Sequence, residues 1–152
     1  MYKNILVPLD GSKRAEAVLP HVEYLARKTG AKVIFMRVVE TEPMLVAAEP
    51  VYTTYAMENH LYRSKEAETY LTALCGEFRE KDIETGHFIT HAGPIIDEIV
   101  DAAEREKVDL IAMTSHGRTG LARVLFGSVA AGILHRVDNN IPLLIIRSLE
   151  GD

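Results

Sequence analysis

The sequence has few of the residues that build cross-linked or membrane-embedded proteins. Its one cysteine, Cys75, excludes an internal disulfide and a cysteine-rich metal site. Because Cys75 lies among Leu71, Leu74 and Phe78, we predict that it is a small buried hydrophobe. No apolar run reaches the roughly 18 residues that a membrane-spanning helix needs. We therefore expect a chain without disulfides, without a cysteine-based metal site and without a membrane span.

Positive charge is also scarce. Lys and Arg number 17 against 22 Asp and Glu, which gives a formal net charge of −5. Because non-specific duplex binding needs clustered Lys and Arg, we expect no nucleic-acid partner. The chain runs from Met1 into a strand-like segment with no apolar signal segment, and we expect a cytoplasmic protein. Its length and its 47% hydrophobic content, without low-complexity tracts, predict one domain over residues 1–152.

Apolar runs typical of buried strands alternate with segments of helical periodicity. The predicted strands are residues 5–9, 32–39, 84–90, 110–113 and 143–146. The predicted helices are residues 12–29, about 57–80, a helix that begins at Pro94 and has Ile96, Ile99, Val100 and Ala103 on one face, and residues 128–137. This alternation predicts an α/β fold with a parallel sheet that is covered on both faces by right-handed crossovers.

Prolines and glycines predict where the helices begin and end. Pro20 lies inside the first helical pattern, and we expect one kinked or irregular helix there because the apolar face continues across it. Gly30 is predicted to end that helix, and Pro94 suits the first position of a later helix. Residues 41–55 carry two prolines and few periodic apolar residues, which predicts a long loop.

Two of the predicted helices have an apolar face that we expect to point inward. In the helix over residues 57–80, these residues are Leu61, Ala67, Leu71, Leu74 and Phe78. In the helix that begins near residue 128, they are Ala130, Ile133, Leu134 and Val137.

The stretch from residue 109 to residue 128 joins a buried strand, a polar loop with two glycines, and Gly127-Ser128 at a helix start. Glycine lets a backbone approach a phosphate closely, and the N–H groups and dipole of a helix start favour an anion. The sequence leaves two interpretations open, an anion site or glycines that only shape a connection. Ser128 likewise either caps its own helix or offers its hydroxyl to a phosphate.

Four features follow the carboxyl ends of the predicted strands. Asp10 follows the first strand, Val38 lies at the end of the second, Gly93 follows the third, and residues 114–117 follow the fourth. In parallel sheets these ends share one edge, and ligands bind there at the switch point of strand order. We expect a pocket that sets an acidic group against a nucleoside and holds phosphates on the glycine loop.

These blocks resemble the universal stress protein family over essentially the whole chain. Residues 3–12 (KNILVPLDGS) are similar to its first strand and acidic end, residues 115–120 and 125–130 to its most specific signature, and residues 141–146 to its last strand. The resemblance implies a Rossmann-like open five-stranded parallel sheet of order 3-2-1-4-5 with helices on both faces.

The resemblance also implies a function, that of a dimeric stress-response regulatory protein that binds an adenine nucleotide. ATP or AMP is the expected ligand, with Mg²⁺ a candidate companion of ATP. Carried over position by position, the nucleotide-contacting residues are Pro8, Leu9, Asp10, Val38, Thr114, His116, Gly117, Arg118, Gly127, Ser128 and Val129. The homodimer would form through the last strand, Leu143–Ile146, paired with its copy.

The signature departs from that of the nucleotide-binding members at one position. Their pattern is glycine, two residues, glycine, nine residues, then glycine followed by Ser or Thr. Gly117, Gly127 and Ser128 fit this pattern, but Thr114 stands at the first glycine. If the nucleotide contact at this position is made by the backbone in ordinary strand geometry, Thr114 can still supply it. If the contact requires a positive φ or a close approach, the β-branched side chain of Thr114 obstructs the nucleotide.

Two further functions stay open from the sequence. One is an ATP hydrolase that uses the same pocket. Its turnover would be slow, because no general base or Gly-Lys-Ser motif is evident and His116 lies outside any nucleotidyl-transferase signature. The other is a dimeric interaction module that needs no nucleotide. We predict no metal site, because His87 and His91 would lie about 13 Å apart at about 3.3 Å per strand residue.

Overall fold

The computed structural model describes residues 1–40, 50–91, 93–115, 127–137 and 140–148. Its elements are β1 (Asn4–Pro8), α1 (Lys13–Glu16), α2 (Leu19–Thr29), β2 (Lys32–Val38), α3 (Pro50–Arg79), β3 (Thr85–Thr90), α4 (Ile95–Arg105), β4 (Leu110–Thr114), α5 (Ser128–Arg136) and β5 (Leu143–Ile146). Strands and helices alternate, which confirms the predicted α/β class.

The strands form one parallel sheet in the order β3-β2-β1-β4-β5, as predicted. Ile5 of the central strand β1 is in register with Val33 of β2 on one side and with Leu110 of β4 on the other. The chain builds outward from β1 through β2 and β3 and then crosses to the other half of the sheet. The switch point of strand order therefore lies between β1 and β4.

Helices cover both faces of the sheet, and its central strands are buried. Ile5 and Val7 pack into a cluster with residues of α1, α2 and α3, whereas Leu6 belongs to a second cluster with residues of α4 and α5. All three side chains have no exposed surface. Because alternate residues of a strand point to opposite faces, a strand covered on both sides must be apolar throughout. This burial explains the unbroken apolar runs in the sequence.

Two helices, not one kinked helix, connect β1 to β2. The Ser12 side chain caps α1 by accepting a hydrogen bond from the Ala15 N–H at 3.1 Å. A separate helix, α2, then begins at Leu19 with Pro20 in its first turn, and Gly30 ends it at φ 71°. A proline suits the first turn because its missing N–H has no intrahelical acceptor there. The prediction for Gly30 is confirmed, and the prediction for Pro20 is wrong.

The helix α3 begins earlier than predicted. Residues 50–55, which we predicted as the end of a loop, are helical, and residues 41–49 lie outside the described part of the chain. Cys75 is 2% exposed, as predicted, but Leu61 is 65% exposed and not inward-facing. With 30 residues, α3 is about 45 Å long, whereas the seven residues of β2 span about 23 Å. The N-terminal half of α3 therefore extends beyond the sheet. The other predicted inward residues are buried, namely Ala67, Leu71, Leu74 and Phe78.

The helices α4 and α5 pack closely on the second face. A Cβ on Gly132 of α5 would lie 2.2 Å from Cδ1 of Ile96, so the glycine permits the approach of α4. Ile133 is buried as predicted, whereas Leu134 is 55% exposed because it lies on the outer side of α5. Pro94 occupies the N-cap position of α4, directly before the first helical position that we predicted for it. Among the described helices, none has the length and apolar character needed to cross a membrane.

Candidate functional site

A pocket opens at the carboxyl edge of the sheet, beside the switch point between β1 and β4. We call it the main pocket. Its lining residues are Pro8, Leu9, Asp10, Ala15, Met36, Val38, Ile95, Ile99, Met113, Thr114 and Val129. Six of these lining residues are predicted site residues, and the fold brings them together from β1, β2, β4 and α5. They are Pro8, Leu9, Asp10, Val38, Thr114 and Val129. This meeting of distant segments follows from parallel strands that end at one edge.

The turn after β1 holds the acidic group of the main pocket in place. The Asp10 carboxylate accepts a hydrogen bond from the Ser12 N–H at 2.9 Å, and Gly11 between them has φ 83°. This is the local bond by which an aspartate closes a turn on its own backbone. The carboxylate is half-buried beside apolar walls that include Met36 and Ile99. It can accept hydrogen bonds from amino or hydroxyl groups of a ligand.

The end of β4 is tied to both β5 and α5. The Ser115 N–H donates to the Ile146 carbonyl at 2.9 Å, and the Ser115 carbonyl accepts from the Gly127 N–H at 2.7 Å. Thr114 is a buried strand residue in register with Ile146. In the described part of the chain, the non-glycine residues with positive φ are Asp82 and Lys107. Thr114 therefore has ordinary strand geometry without a positive φ.

The start of α5 faces the same edge. Gly127 occupies the cap position with φ −65° and ψ 160°, and Ser128 is the first helical residue and exposed. The capping interpretation of Ser128 is therefore wrong, because its side chain lies one residue past the cap. The first turn of α5 has no acidic residue, whereas that of α4 has Asp97 and Glu98. The helix dipole and the first-turn N–H groups of α5 make this end suitable for an anion.

Three predicted site residues fall outside the described residues, namely His116, Gly117 and Arg118. The predicted members on the far side of that segment are described, since Gly127, Ser128 and Val129 lie at the start of α5. The described part of the site is therefore its apolar body, its acidic end and its helix terminus.

The structure adds a residue that we did not predict. Arg37 of β2 is only 7% exposed, and its guanidinium lies against Gly11, where a Cβ would be 3.1 Å from Nη1. It also lies over the Tyr70 ring at 5.8 Å from the centroid, and its Nη1 is 3.9 Å from Oε1 of Glu66. A buried charge is rare and needs partners. The signal in the sequence is one arginine within the apolar run of β2.

A tyrosine completes this polar cluster beside the main pocket. The Tyr70 hydroxyl donates to Oε1 of Glu16 at 3.1 Å. Burial, followed by the negative charges of Glu16 and Asp10, raises the pKa of Tyr70 well above its ordinary value, and the Arg37 charge opposes this shift. Tyr70 is therefore a neutral hydrogen-bond donor near neutral pH.

The two histidines that we examined as metal ligands have separate partners. Nε2 of His87 is 2.6 Å from Oε1 of Glu68, and its Nδ1 is 3.5 Å from the sulfur of Cys75. The His91 ring makes an edge contact with the His60 ring, with centroids 5.0 Å apart. Within the residues that the structure describes, no group of three or more His, Cys, Asp or Glu side chains could hold a metal ion.

Comparison with known proteins places this chain in a family. The universal stress protein MJ0577 of Methanocaldococcus jannaschii is 30% identical over 158 residues, which cover 97% of this chain and 96% of that protein. The solved structure of MJ0577 matches with a TM-score of 0.85 over 99% of both chains.

Two more distant solved structures share the fold. One is a universal stress protein in complex with cAMP, 22% identical, with a TM-score of 0.58 over 97% of this chain and 98% of that one. The other is the Arabidopsis thaliana family protein At3g01520 with AMP bound, 15% identical, with a TM-score of 0.64 over 97% and 93% of the two chains. The universal stress protein family itself matches residues 1–147. The chain therefore belongs to the universal stress protein family.

Proposed function

We propose that this chain binds an adenine nucleotide, AMP or ATP, in the main pocket. The observation that carries the proposal is that Asp10, Val38, Thr114 and Val129 line one pocket at the switch point of strand order. This is where open parallel sheets bind their ligands. Relatives with this fold are described with AMP and with cAMP bound, which supports the same ligand class here.

The nucleoside would occupy the apolar body of the pocket. Met36, Ile99 and Met113 supply flat or flexible apolar surface for a base, since methionine adapts to irregular shapes. The oriented Asp10 carboxylate would accept hydrogen bonds from an amino or hydroxyl group. A few placed polar groups in an apolar cleft are the usual composition of a small-molecule site.

The phosphates would lie at the start of α5, near Gly127 and Ser128. The exposed Ser128 hydroxyl and the acid-free first turn support an anion there. In this proposal Gly117 and Arg118 complete the phosphate site and His116 lies beside it. Mg²⁺ would accompany ATP by binding its phosphate oxygens.

We further propose that the protein acts as a homodimeric regulator through β5. This strand lies at the edge of the sheet with β4 as its neighbour, and its four residues are half-buried. An apolar edge strand without a partner is an aggregation hazard, and pairing with its own copy removes it. Since Ser115 hydrogen-bonds to Ile146, a ligand at the end of β4 can alter the dimer edge.

Native mass spectrometry and calorimetry test the proposal together. We expect freshly purified protein to be a dimer that carries or takes up about one adenine nucleotide per chain, with GMP as a control for the base. Heat of binding with AMP or with ATP and Mg²⁺ would establish the ligand class. A dimer that stays empty and gives no heat with ATP, ADP or AMP would contradict nucleotide binding. A monomer at micromolar concentration would contradict the β5 interface.

A further inference from the structure

A second cavity adjoins the main pocket, and we call it the side cavity. Its lining residues are Asp10, Arg37, Val38, Val39, Glu40, Arg63 and Ile95. Three of them, Asp10, Val38 and Ile95, also line the main pocket, so the two spaces are adjacent. The side cavity lies beyond the end of β2 and beside α3. It is therefore on the side of the main pocket that faces away from β4 and α5.

Arg37 lines this cavity, and one of its guanidinium donors is unsatisfied. Its side chain is 8% exposed, and its Nη1 is buried without a hydrogen-bond partner among the described residues. This nitrogen lies 3.9 Å from Oε1 of Glu66, which is too far for a hydrogen bond. A buried guanidinium donor without an acceptor is strongly unfavourable, and native structures seldom retain one without a reason. A ligand that brings an acceptor to Arg37 would remove this penalty.

The charges around the cavity determine what kind of ligand fits. Arg63 of α3 is half-buried and adds a second guanidinium. The carboxylates of Asp10 and Glu40, with Glu66 beside Arg37, outnumber the two guanidinium groups. Glu40 and Glu66 are exposed, however, and Asp10 accepts from Ser12. An anion would therefore be held by direct contact with the guanidinium groups and not by the overall field. Guanidinium binds carboxylate and phosphate in a two-pronged geometry.

We propose that the side cavity is a subsite for an anionic group, a carboxylate or a phosphate, next to the nucleobase. The position of the base is taken from the proposed function. If the phosphates lie at the start of α5, the base lies at the opposite end of the main pocket, near the end of β2. The anionic group is either a substituent on the base of a bound nucleotide or a separate small anion. In both cases Arg37 supplies the contact and determines specificity beyond plain AMP.

Calorimetric titration with three probes distinguishes these sources. The probes are AMP, AMP that carries a 1,2-dicarboxyethyl group on its N6 amine, and free succinate. We expect the substituted nucleotide to bind about tenfold more tightly than AMP, the effect of one new hydrogen bond to a charged group. If free succinate binds alone and adds to AMP, the anion is a separate molecule. If only the linked form gains affinity, the anion belongs to the nucleotide.

Variants then assign the effect to the arginines. In Arg37→Gln and in Arg63→Gln we expect the ratio of the two nucleotide affinities to fall to about one, together with loss of any succinate binding. Arg27→Gln on α2, whose side chain is 64% exposed, should keep the wild-type ratio. Thermal melts report folding, and Arg63→Gln keeps the test available if Arg37→Gln unfolds. The ratio cancels any general effect of a variant on the main pocket.

The outcomes separate this inference from the proposed function. If AMP binds but the substituted nucleotide is no tighter and succinate gives no heat, the subsite is overturned while nucleotide binding stands. If AMP gives no heat, the proposed function fails. In that case, succinate binding that depends on Arg37 would still support an anion site in the side cavity. If succinate does not bind either, the anion site is overturned together with the proposed function.

Discussion

The backbone N–H of Gly127 donates a hydrogen bond to the Ser115 carbonyl at 2.7 Å. This bond joins the end of β4 to the start of α5 across residues 116–126. It places the first turn of α5 at the mouth of the main pocket without help from a side chain. At Gly127 φ is −65°, a value that any residue adopts, so the glycine is not needed for the backbone conformation. What a side chain would change there is the space left for a ligand.

Gly127→Val should therefore weaken nucleotide binding without unfolding the protein. We expect AMP affinity to fall at least about tenfold, since the added branched side chain fills space beside the proposed phosphates while the backbone bond to Ser115 is kept. Calorimetry and a thermal melt measure the two effects. Gly76→Val on the exposed side of α3, where a Cβ meets nothing within 4 Å, is the control and should leave affinity unchanged. Unchanged AMP binding in Gly127→Val would contradict the site.

Two serines at helix starts should respond differently to alanine. Ser12 caps α1, and Ser12→Ala should lower the free energy of unfolding by about 1 kcal/mol, the usual value of a cap. Ser128→Ala should change stability by less than about 0.5 kcal/mol, because Ser128 is exposed and is not the cap. It should instead weaken AMP binding several-fold. Urea unfolding and calorimetry on both variants check this, and equal loss of stability would return Ser128 to a capping role.

Two glycines with open surroundings should respond in opposite directions to the same substitution. Neither Gly76 nor Gly30 has an atom within 4 Å of an added Cβ, but Gly30 has φ 71°. Gly76→Ala should raise the free energy of unfolding by about 0.5–1 kcal/mol, since alanine favours the interior of α3. Gly30→Ala should lower it by about 1 kcal/mol because of the left-handed backbone. Denaturant unfolding measures both, and changes of the same sign would refute the conformational argument.

The contact between Gly132 and Ile96 should make alanine unfavourable on α5. An added Cβ would overlap Cδ1 of Ile96 and lie 3.0 Å from its Cγ1, so the half-buried Ile96 side chain must change rotamer, and Gly132→Ala should lower the free energy of unfolding by about 1 kcal/mol despite its better helix propensity. The double variant with Ile96→Val lacks the clashing methyl group and should recover most of this loss. Urea unfolding of the single and double variants gives the coupling. Additive losses would show that the two residues do not conflict.

Tyr70 should make the folded protein sensitive to alkaline pH. Its pKa is raised in the folded state, so the folded state retains a proton that the unfolded state loses above its ordinary pKa near about 10. The contribution of Tyr70 to the free energy of unfolding is therefore full below pH about 9 and declines as the pH rises further. The decline is less than about 1.4 kcal/mol per pH unit, because the ring is partly exposed. The difference in stability between wild type and Tyr70→Phe should shrink from pH 9 to 11. A difference that is constant over this range would be inconsistent with the shift.

Much of the site could be predicted because its residues follow strands. Asp10, Val38 and Thr114 stand at the ends of apolar runs, and parallel strands end at one edge, so order along the chain is enough to bring them together. The strand order itself came from the resemblance to a family, because periodicity does not report which strands are neighbours. Thr114 needed the structure, since a residue type alone does not determine φ.

The errors fall where the partner of a residue lies elsewhere in the fold. Leu61 and Leu134 fit the periodicity of their helices, but the sheet below α3 is shorter than the helix and the outer side of α5 is uncovered. Pro20 continues an apolar face and yet begins a helix. Arg37 was overlooked because its significance lies in what surrounds it, namely Gly11 and the Tyr70 ring.

The sequence by itself determined the strands of this protein and the approximate positions of most of its helices, the burial of its central strands and the edge at which its polar residues meet. These properties depend on local periodicity and on the direction of parallel strands. The tertiary structure alone decided which apolar residues are covered, where α3 begins, that Thr114 is an ordinary strand residue, and that a buried Arg37 adjoins the pocket. Those properties depend on contacts between residues distant in the chain, which a local pattern does not encode.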